Sequence, residues 1–273
     1  ALARALDGDT IRIPAGQYEL HAALVVNKRV TFSGDGRDRT IVSSNTPGDC
    51  IRVIASSVRI ENLTLQYTGN QPANVVVIAG EMGTVAHCEI RGARAVNSSG
   101  IPPVTHGSGV LFINKASGSV VNCTFLNNGR AGITVTDAAK AQVTGNKIER
   151  CFDGVIFTES AGGLIADNHC GDCQSCGIVL VNAGPQVVVS GNTCVSNQLY
   201  GIYIRNSPAI LDSNALSSNK IHGLLIRGPA KPTLRRNLIQ DNAEYGIWTD
   251  GVIPAMEPNN IFAGNKKGQV FPQ

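Results

Sequence analysis

The sequence predicts an all-β protein whose chain winds into a solenoid of parallel coils. The first observation is a glycine that precedes an alternating apolar run, as in "GITVT" at 132 and "GIYIR" at 201. These glycines are Gly109, Gly132, Gly154, Gly177, Gly201, Gly223 and Gly246, with steps of 23, 22, 23, 24, 22 and 23 residues. The second observation is an asparagine eight or nine residues upstream of most of them, at Asn146, Asn168, Asn192, Asn214, Asn237 and Asn260. Two columns with one period indicate that each repeat forms one coil.

Each repeat contains three short strands and no helix. Residues 187–204, "VVVSGNTCVSNQLYGIYI", contain a β-branched run, an Asn turn, a second run, another Asn and a Gly before the third strand. Asn and Gly tolerate the left-handed backbone that tight turns require. The absence of a 3.6-residue period argues against helix-pair repeats, and the absence of an L-x-x-L-x-L pattern argues against leucine-rich repeats. We therefore expect coils stacked about 4.8 Å apart.

The composition fits a folded chain with a large core. Its 273 residues are 42% hydrophobic and 16% charged, and the formal net charge of +3 is too small to predict a nucleic-acid partner. No apolar run approaches the roughly 18 residues of a membrane-spanning helix. We expect a single domain over residues 1–273, with residues 91–108 inserted into one coil as a loop. Both ends are expected to be truncated or covered by further segments.

Alternation along the strands assigns each side chain to the inside or the outside of the coil. Residues one and three after each repeat glycine face inward, as do two columns counted from the turn asparagine. One of these columns contains Ile148, Cys170, Cys194, Leu216, Ile239 and Phe262, and the other contains Cys151, Cys173, Asn197, Asn219, Asn242 and Asn265. Buried asparagines in register predict ladders of side-chain hydrogen bonds between coils.

The stretch "HCGDCQSCG" (169–177) has cysteine spacing typical of a metal or iron–sulfur site, but Leu180 stands where the fourth cysteine would be. The coil register places Cys170, Cys173 and Cys176 in three different columns, so no shared site is predicted. The pairs Cys170/Cys194 and Cys151/Cys173 lie within the Cα separation that a disulfide permits. Cys176, at the edge of the outer face, stays a candidate for function.

Several segments resemble the right-handed parallel β-helix, or pectin-lyase-like, superfamily. They are "GDTIRIPAGQY" (8–18), "VTFSGDGRDRTIV" (30–42) and the repeated "V-x-x-N-x-I…N…G-I-x-V" coil. The resemblance implies a single-stranded right-handed helix of about 11–12 coils with 22–24 residues each. It covers carbohydrate-active proteins and a periplasmic copper-protein type, and it implies an extracellular or periplasmic location. Because this scaffold hosts lyases, hydrolases, epimerases, adhesins and binding modules, it does not fix the function.

A cluster on the outer face of the glycine-led strand is the best candidate site. Asp153, Cys176, Tyr200, His222, Tyr245 and Lys267 each precede a glycine and should form one column. We expect an acidic polysaccharide to be bound here, and cleaved or epimerised if the protein is an enzyme. His222 would then be the base and Tyr200 or Tyr245 the acid, with Tyr203, Arg205, Arg227, Trp248 and Asp250 binding the sugar. No cofactor and no metal are predicted.

Other interpretations remain open. An apolar stripe formed by Leu111, Ile156, Val179 and Leu225 favours a non-catalytic module that binds a protein or a second copy. Asp137 and Glu159 are predicted neighbours, with Asp153 nearby, but the "NTD", "DD", "GHG" and "RIK" set of polygalacturonase-like enzymes is absent, as is the "DPHD" run of alginate epimerases. His106, in the insertion, is a further candidate at one end of a groove. A periplasmic copper protein would need an exposed set of Met and His ligands, and this sequence does not offer one.

Overall fold

The computed structural model describes residues 1–96, 106–185, 187–229, 231–252 and 254–271. Eleven coils, numbered here in chain order, each contribute one strand to each of three parallel sheets. Apart from a short 3₁₀ turn at Leu2–Arg4, the described residues form strands, turns and bends, and no helix among them is long and apolar enough to span a membrane. The predicted parallel β-helix of 11–12 coils is therefore confirmed.

The strands of the first sheet are Thr10–Ile13, Thr31–Gly34, Arg59–Glu61, Gly83–Ala86, Ser117–Val121, Lys140–Thr144, Gly162–Ala166, Val187–Ser190, Ala209–Asp212, Thr233–Arg235 and Ala255–Met256. Those of the second sheet are Gly16–Leu20, Thr40–Ser44, Thr64–Tyr67, Glu89–Arg91, Thr124–Leu126, Lys147–Glu149, His169–Gly171, Thr193–Val195, Ala215–Ser217, Leu238–Gln240 and Ile261–Ala263. Those of the third sheet are Leu24–Val26, Gly48–Val53, Ala73–Ile78, Ser108–Phe112, Ala131–Val135, Asp153–Thr158, Ile178–Val181, Ile202–Arg205, Leu224–Arg227, Tyr245–Thr249 and Gly268–Phe271.

The interior is a continuous aliphatic stack with the register that the alternation predicted. Ile133 pairs with Val155, and Val155 pairs with Ile178, and all three side chains are fully buried. The repeat glycines stand where backbones approach too closely for a side chain. A Cβ on Gly201 would lie 2.6 Å from the carbonyl oxygen of Gly223, so steric exclusion accounts for this column.

Two asparagine ladders confirm the predicted turn columns. In the first ladder, Nδ2 of Asn146, Asn168, Asn192, Asn214 and Asn237 each donates to Oδ1 of the asparagine one coil further on, at 2.9–3.0 Å. The second ladder joins Asn197, Asn219, Asn242 and Asn265 in the same way. Each of these amides is satisfied although nearly all are buried, which removes the penalty of an unpaired polar group.

The eight cysteines are buried free thiols. The three cysteines of "HCGDCQSCG" separate as predicted: Cys170 pairs in register with Cys194, the backbone N–H of Cys173 donates to Oδ1 of Asn197, and Cys176 lies on the outer side. Cys88 and Cys123 occupy the positions of the first ladder in coils 4 and 5, and Cys123 N–H donates to Oδ1 of Asn146. Apart from Cys176, which belongs to an outer column, the cysteines named here are therefore parts of the turn and core columns.

The register of the last coil differs from the prediction, and part of the predicted insertion lies outside the described residues. Gly268 pairs with Tyr245, so Lys267 is not in the predicted column; it lies beside Glu244, at 2.6 Å. The last repeat glycine, Gly268, comes one residue early, so Gln269 and not Gly268 lies opposite Gly246. Half of the predicted 91–108 insertion, residues 97–105, lies outside the described residues, while Arg94 and Gly107 near its two ends both hydrogen-bond to the backbone of Ala73.

Candidate functional site

The outer face of the third sheet carries two columns of side chains, which set the geometry of the candidate site. The start column contains Asp49, Asn74, Ser108, Ala131, Asp153, Cys176, Tyr200, His222, Tyr245 and Gly268. The middle column, three residues further along each strand, contains Arg52, Val77, Leu111, Thr134, Ile156, Val179, Tyr203, Leu225, Trp248 and Phe271. The start column is polar in coils 2–4, and both columns are largely aromatic towards the C-terminal end of the helix.

The predicted tyrosines, histidine and tryptophan come together with Phe271 in one cluster, the aromatic stack. The rings of Tyr200 and His222 lie 5.5 Å apart and nearly parallel, at 15°. Those of His222 and Trp248 lie 6.2 Å apart at 4°. These near-parallel rings therefore stack from coil to coil along the helix. Tyr203 and Tyr245 are tilted members, with centroids 6.2 Å from Tyr200 and 5.8 Å from His222.

His222 lies inside the stack and is only 6% exposed. Its Nδ1 accepts a hydrogen bond from the backbone N–H of Tyr245 at 3.3 Å, and Oε2 of Glu244 is 3.9 Å away. Burial lowers the pKa of His222, so the neutral imidazole is favoured near neutral pH. With Nδ1 accepting, the proton of the neutral ring is on Nε2. His222 is thus poised as a hydrogen-bond donor, and a role as base requires it to give up the Tyr245 contact.

The charged residues predicted to bind sugar occupy the rim of this face. Arg205 and Arg227 are neighbours in register and both are exposed. Arg227 lies over the Trp248 ring, with its guanidinium carbon 5.7 Å from the centroid. Asp250 accepts the backbone N–H of Gly228 at 3.1 Å and so also supports a turn. The cluster is brought together as predicted, and part of it is engaged in structural contacts.

The apolar stripe differs from its prediction. Leu111, Ile156, Val179 and Leu225 are between 3% and 9% exposed, so they offer little free area to a partner. Ile156 and Val179 pack with Ala131 and Cys176 in a small cluster on the outer side, which Tyr200 and Tyr203 partly cover. The sequence pattern placed these residues on the correct face, but larger neighbouring side chains shield them.

The sequence predicted His106 at one end of a groove but not the extent of that groove: a polar groove of about 540 Å³ lies on coils 2–8 of the same face, and His106 lines it. One wall is formed by Asp49, Asn74, His106, Ser108 and Arg130, and the opposite wall by Asp137, Glu159 and Asn182. The floor between them contains apolar side chains and threonines, among them Val77, Leu111, Ile113, Thr134 and Val181. Arg205 lines one end and connects the groove to the aromatic stack. The insertion before the third strand of coil 4 interrupts the repeat count on which the columns depended, so the full extent of this site was not predicted.

A hydrogen-bonded polar network supports the first wall. Arg52 pairs with Asp49 at 2.7 Å, and Nδ2 of Asn74 donates to Oδ1 of Asp49 at 3.0 Å. The backbone N–H of Ser108 donates to Oδ1 of Asn74 at 3.1 Å, and the hydroxyls of Ser108 and Thr134 lie 2.8 Å apart. Asn74, Ser108 and Thr134 are at most 3% exposed. A buried and satisfied network of this kind holds its members rigidly.

The groove combines charges of both signs. Burial lowers the pKa of Arg130, while the nearby charges of Asp153 and Glu159 oppose that shift. Asp153 is buried beside Arg130; its Oδ1 accepts the Cys176 backbone N–H at 2.9 Å, and burial raises its pKa to about 6. Asp137 and Glu159 occupy equivalent turns on consecutive coils, as predicted, and Glu159 accepts the hydroxyl of Thr136 at 2.9 Å.

The donors for a metal are scattered. No group of three or more His, Cys, Asp or Glu residues suited to a metal exists in the part of the chain that the structure describes. The two methionines, Met82 and Met256, lie on coils 4 and 11, about 34 Å apart at one coil per 4.8 Å. All eight thiols are buried. Copper would need soft or imidazole donors converging on one point, and these residues do not provide them.

Several solved structures are similar to this chain in fold. Among solved structures, the A-module of the Azotobacter vinelandii mannuronan C-5 epimerase AlgE6 has a TM-score of 0.62 and 12% identity, with 96% of this chain and 86% of that chain covered. The catalytic domain of a GH87 alpha-1,3-glucanase has a TM-score of 0.65 and 11% identity, with 97% and 62% covered. The Dettilon tailspike protein has a TM-score of 0.65 and 11% identity, with 93% and 61% covered.

These likenesses confirm the right-handed parallel β-helix fold that the sequence resembled, and at such low identity they establish the fold alone. The match to a sequence family is more specific. The family model described as "Periplasmic copper-binding protein (NosD)" matches residues 86–269, more than half of the chain. Although the donor set does not fit the copper in that description, the chain belongs to the NosD family of parallel β-helix proteins.

Proposed function

We propose that the outer face of the third sheet binds an acidic polysaccharide, with the polar groove as its main site. The observation that carries this proposal is the groove itself, about 540 Å³ in volume, open along the helix axis and lined by hydroxyl, amide and charged groups over a partly apolar floor. Such mixed linings suit sugars, which present hydroxyl edges and apolar ring faces. The mannuronan epimerase and the alpha-1,3-glucanase of similar fold are named for polysaccharides, which supports this class of ligand.

The charge pattern favours an acidic polymer. Arg130, Arg205 and Arg227 have no carboxylate oxygen within 4 Å among the described residues, whereas Arg52 is paired with Asp49. These three arginines lie on coils 5, 8 and 9, a span of about 19 Å along the axis at about 4.8 Å per coil. Cations without carboxylate partners along one face attract an extended polyanion. We also infer a periplasmic or extracellular location, which the family description as a periplasmic protein supports.

Catalysis on the same face is the finer part of the proposal. A lyase or an epimerase must neutralise a carboxylate and move a proton at the adjacent carbon. His222 as base, with Tyr200 or Tyr245 as acid, stays the assignment to test. Its geometric requirement is definite, because Nδ1 of His222 accepts the Tyr245 N–H in this structure. A substrate that engages His222 as a base must displace that contact, because the other ring tautomer carries its proton on Nδ1 and cannot accept the Tyr245 N–H.

A binding panel tests the proposal. Oligomers of mannuronate, guluronate and galacturonate, with neutral glucan oligomers of equal length, are titrated against the protein by calorimetry, while absorbance reports unsaturated products. We expect acidic oligomers to bind and the double variant Arg205→Ala/Arg227→Ala to bind at least tenfold more weakly. The matched control is Lys140→Ala, which removes a cation from the exposed face of the first sheet. No binding of any acidic oligomer, or an equal loss in the control, would overturn the proposal.

A further inference from the structure

We infer that the polar groove holds a 1,4-linked uronosyl unit in one orientation, with its carboxylate towards Arg130 and its O2 and O3 hydroxyls towards Asp137, Glu159 and Asn182. This inference rests on the proposed function and adds the ligand class and the orientation. In a 1,4-linked pyranuronosyl unit, the carboxylate and the two vicinal hydroxyls lie on opposite edges of the ring. The two walls of the groove also differ: one presents the guanidinium of Arg130, and the other presents the carboxylates of Asp137 and Glu159 and the amide of Asn182.

The Arg130 wall is suited to an anion. Asp49 is already occupied by Arg52 at 2.7 Å and by the Asn74 amide at 3.0 Å, so its charge is largely compensated. Arg130 is half-buried, lines the groove and has no carboxylate oxygen within 4 Å in the described part of the chain; Asp153 and Glu159 act on its charge only from beyond that distance. Its backbone N–H donates to the carbonyl of Gly107 at 2.9 Å, which fixes the start of its side chain. A guanidinium with unused N–H groups is the preferred partner of a carboxylate.

Two hydroxyls lie beside Arg130, one on this wall at Ser108 and one on the adjoining floor at Thr134. Ser108 and Thr134 share one hydrogen bond of 2.8 Å, so one of their two hydroxyl protons remains for another acceptor. Both residues line the groove next to Arg130. Because the network below them is buried and satisfied, these groups need little reordering when an anion arrives.

The opposite wall is suited to hydroxyl groups. Glu159 accepts one hydrogen bond from Thr136, and Asp137 accepts a longer one of 3.4 Å from the backbone N–H of Asn114. A carboxylate has about four acceptor positions, so both retain capacity for sugar hydroxyls. Carboxylates on this wall also repel a second carboxylate, which disfavours the reversed orientation of a uronosyl unit.

The floor and the axis fit the same orientation. Ile113 and Val181 lie between the walls, are partly exposed and supply an apolar surface for the sugar ring. Because the columns run from coil to coil, the walls are parallel to the helix axis, and a polymer linked through C1 and C4 would follow that axis. The twist of the polymer determines whether the carboxylate edge faces the Arg130 wall in every unit or in every second unit.

The experiment compares three forms of one oligomer: polymannuronate, its carboxyl-reduced form and its form acetylated at O2 and O3. Wild-type protein should bind the native form at least tenfold more tightly than either modified form. Arg130→Gln should weaken native binding about ten- to hundredfold and leave the reduced form nearly unchanged, so that the preference for the carboxylate disappears. Glu159→Gln should keep that preference and reduce the discrimination against acetylation. Arg130→Lys, which keeps the charge, should rescue part of the carboxylate preference.

The outcomes separate the inference from the proposed function. If wild-type protein binds no oligomer, both fail. If wild-type protein prefers the acidic oligomer and Arg130→Gln retains that preference, as the Lys140→Ala control should, only the inference fails. An equal loss for native and reduced oligomers in Arg130→Gln would also overturn it, because a general weakening does not require a carboxylate contact. Circular dichroism and the Tm confirm that each variant is folded before binding is interpreted.

Discussion

Asn168 and Asn192 are joined by two hydrogen bonds: Nδ2 and the backbone N–H of Asn168 both donate to Oδ1 of Asn192, at 2.9 and 3.0 Å. Asn192 in turn donates Nδ2 to the carbonyl of Ile165 at 2.8 Å and to Oδ1 of Asn214 at 3.0 Å. Each amide therefore satisfies polar groups on the coils before and after it. Each coil of this protein is therefore stabilised by its contacts with the neighbouring coils.

Replacing Asn192 with alanine should destabilise the protein severely. The change leaves the buried N–H of Asn168 and the carbonyl of Ile165 without their partners, and each unsatisfied buried group costs about 1–3 kcal/mol. We expect the free energy of unfolding to fall by at least about 3 kcal/mol. Urea denaturation followed by circular dichroism measures it, with Gln198→Ala, an exposed turn residue, as the control. A change as small as that of the control would contradict the ladder's role.

Asp153 makes stability depend on pH in an unusual direction. Burial raises its folded-state pKa to about 6, whereas an unfolded aspartate titrates near about 3.9. Between these values the folded state binds more protons than the unfolded state, so the free energy of unfolding falls as pH rises from about 4 to about 6. The loss amounts to something on the order of 3 kcal/mol and stays constant above that range.

Asp153→Asn should remove this dependence, because the amide oxygen still accepts the Cys176 N–H and carries no charge. We expect the variant to match wild type near pH 4 and to be more stable at pH 7. Urea denaturation at several pH values checks this, with the exposed Asp172→Asn as control. Equal pH slopes for wild type and Asp153→Asn would refute the assignment.

The periodic parts of the molecule were predictable from the sequence because a solenoid repeats one set of steric and hydrogen-bonding requirements. The glycine column at Gly201 and the ladder at Asn192 were both read from spacing, and both have a local physical cause. The failures lie where the period breaks. Lys267 was misplaced because the last glycine comes one residue early, so that Gly268 pairs with Tyr245.

The candidate site was only partly predictable, for a related reason. The aromatic stack lies in regular coils, and its residues were found by counting from each glycine. Arg130 and Ser108 lie beside the insertion, where counting back through the repeat failed. Spacing also could not show that ring faces cover one another or that Leu225 is shielded, since both depend on rotamers and on the sizes of neighbouring side chains.

Copper should not be retained by this chain. The described residues contain no group of three suitable donors, and residues 97–105, which lie outside them, include no His, Cys, Met, Asp or Glu in their sequence. After anaerobic loading with Cu(I), or loading with Cu(II), and gel filtration over a chelating resin, we expect far less than one copper per chain. The Tm should be unchanged, because an ion that does not bind the folded state cannot stabilise it. One retained equivalent with a raised Tm would contradict this prediction.

Substitutions of His222 separate a packing role from a catalytic one. Its ring is sandwiched near Tyr200 and Trp248, and Nδ1 accepts the Tyr245 N–H. His222→Ala removes both the ring contacts and the acceptor, so we expect the free energy of unfolding to fall by about 2 kcal/mol. His222→Phe restores the ring without the acceptor and should recover part of that loss.

Thermal unfolding and uronate binding are measured together, with His169→Ala on the second sheet as control. If His222 acts as a base, His222→Phe abolishes product formation while binding persists; if it only packs, any turnover by wild type survives in His222→Phe.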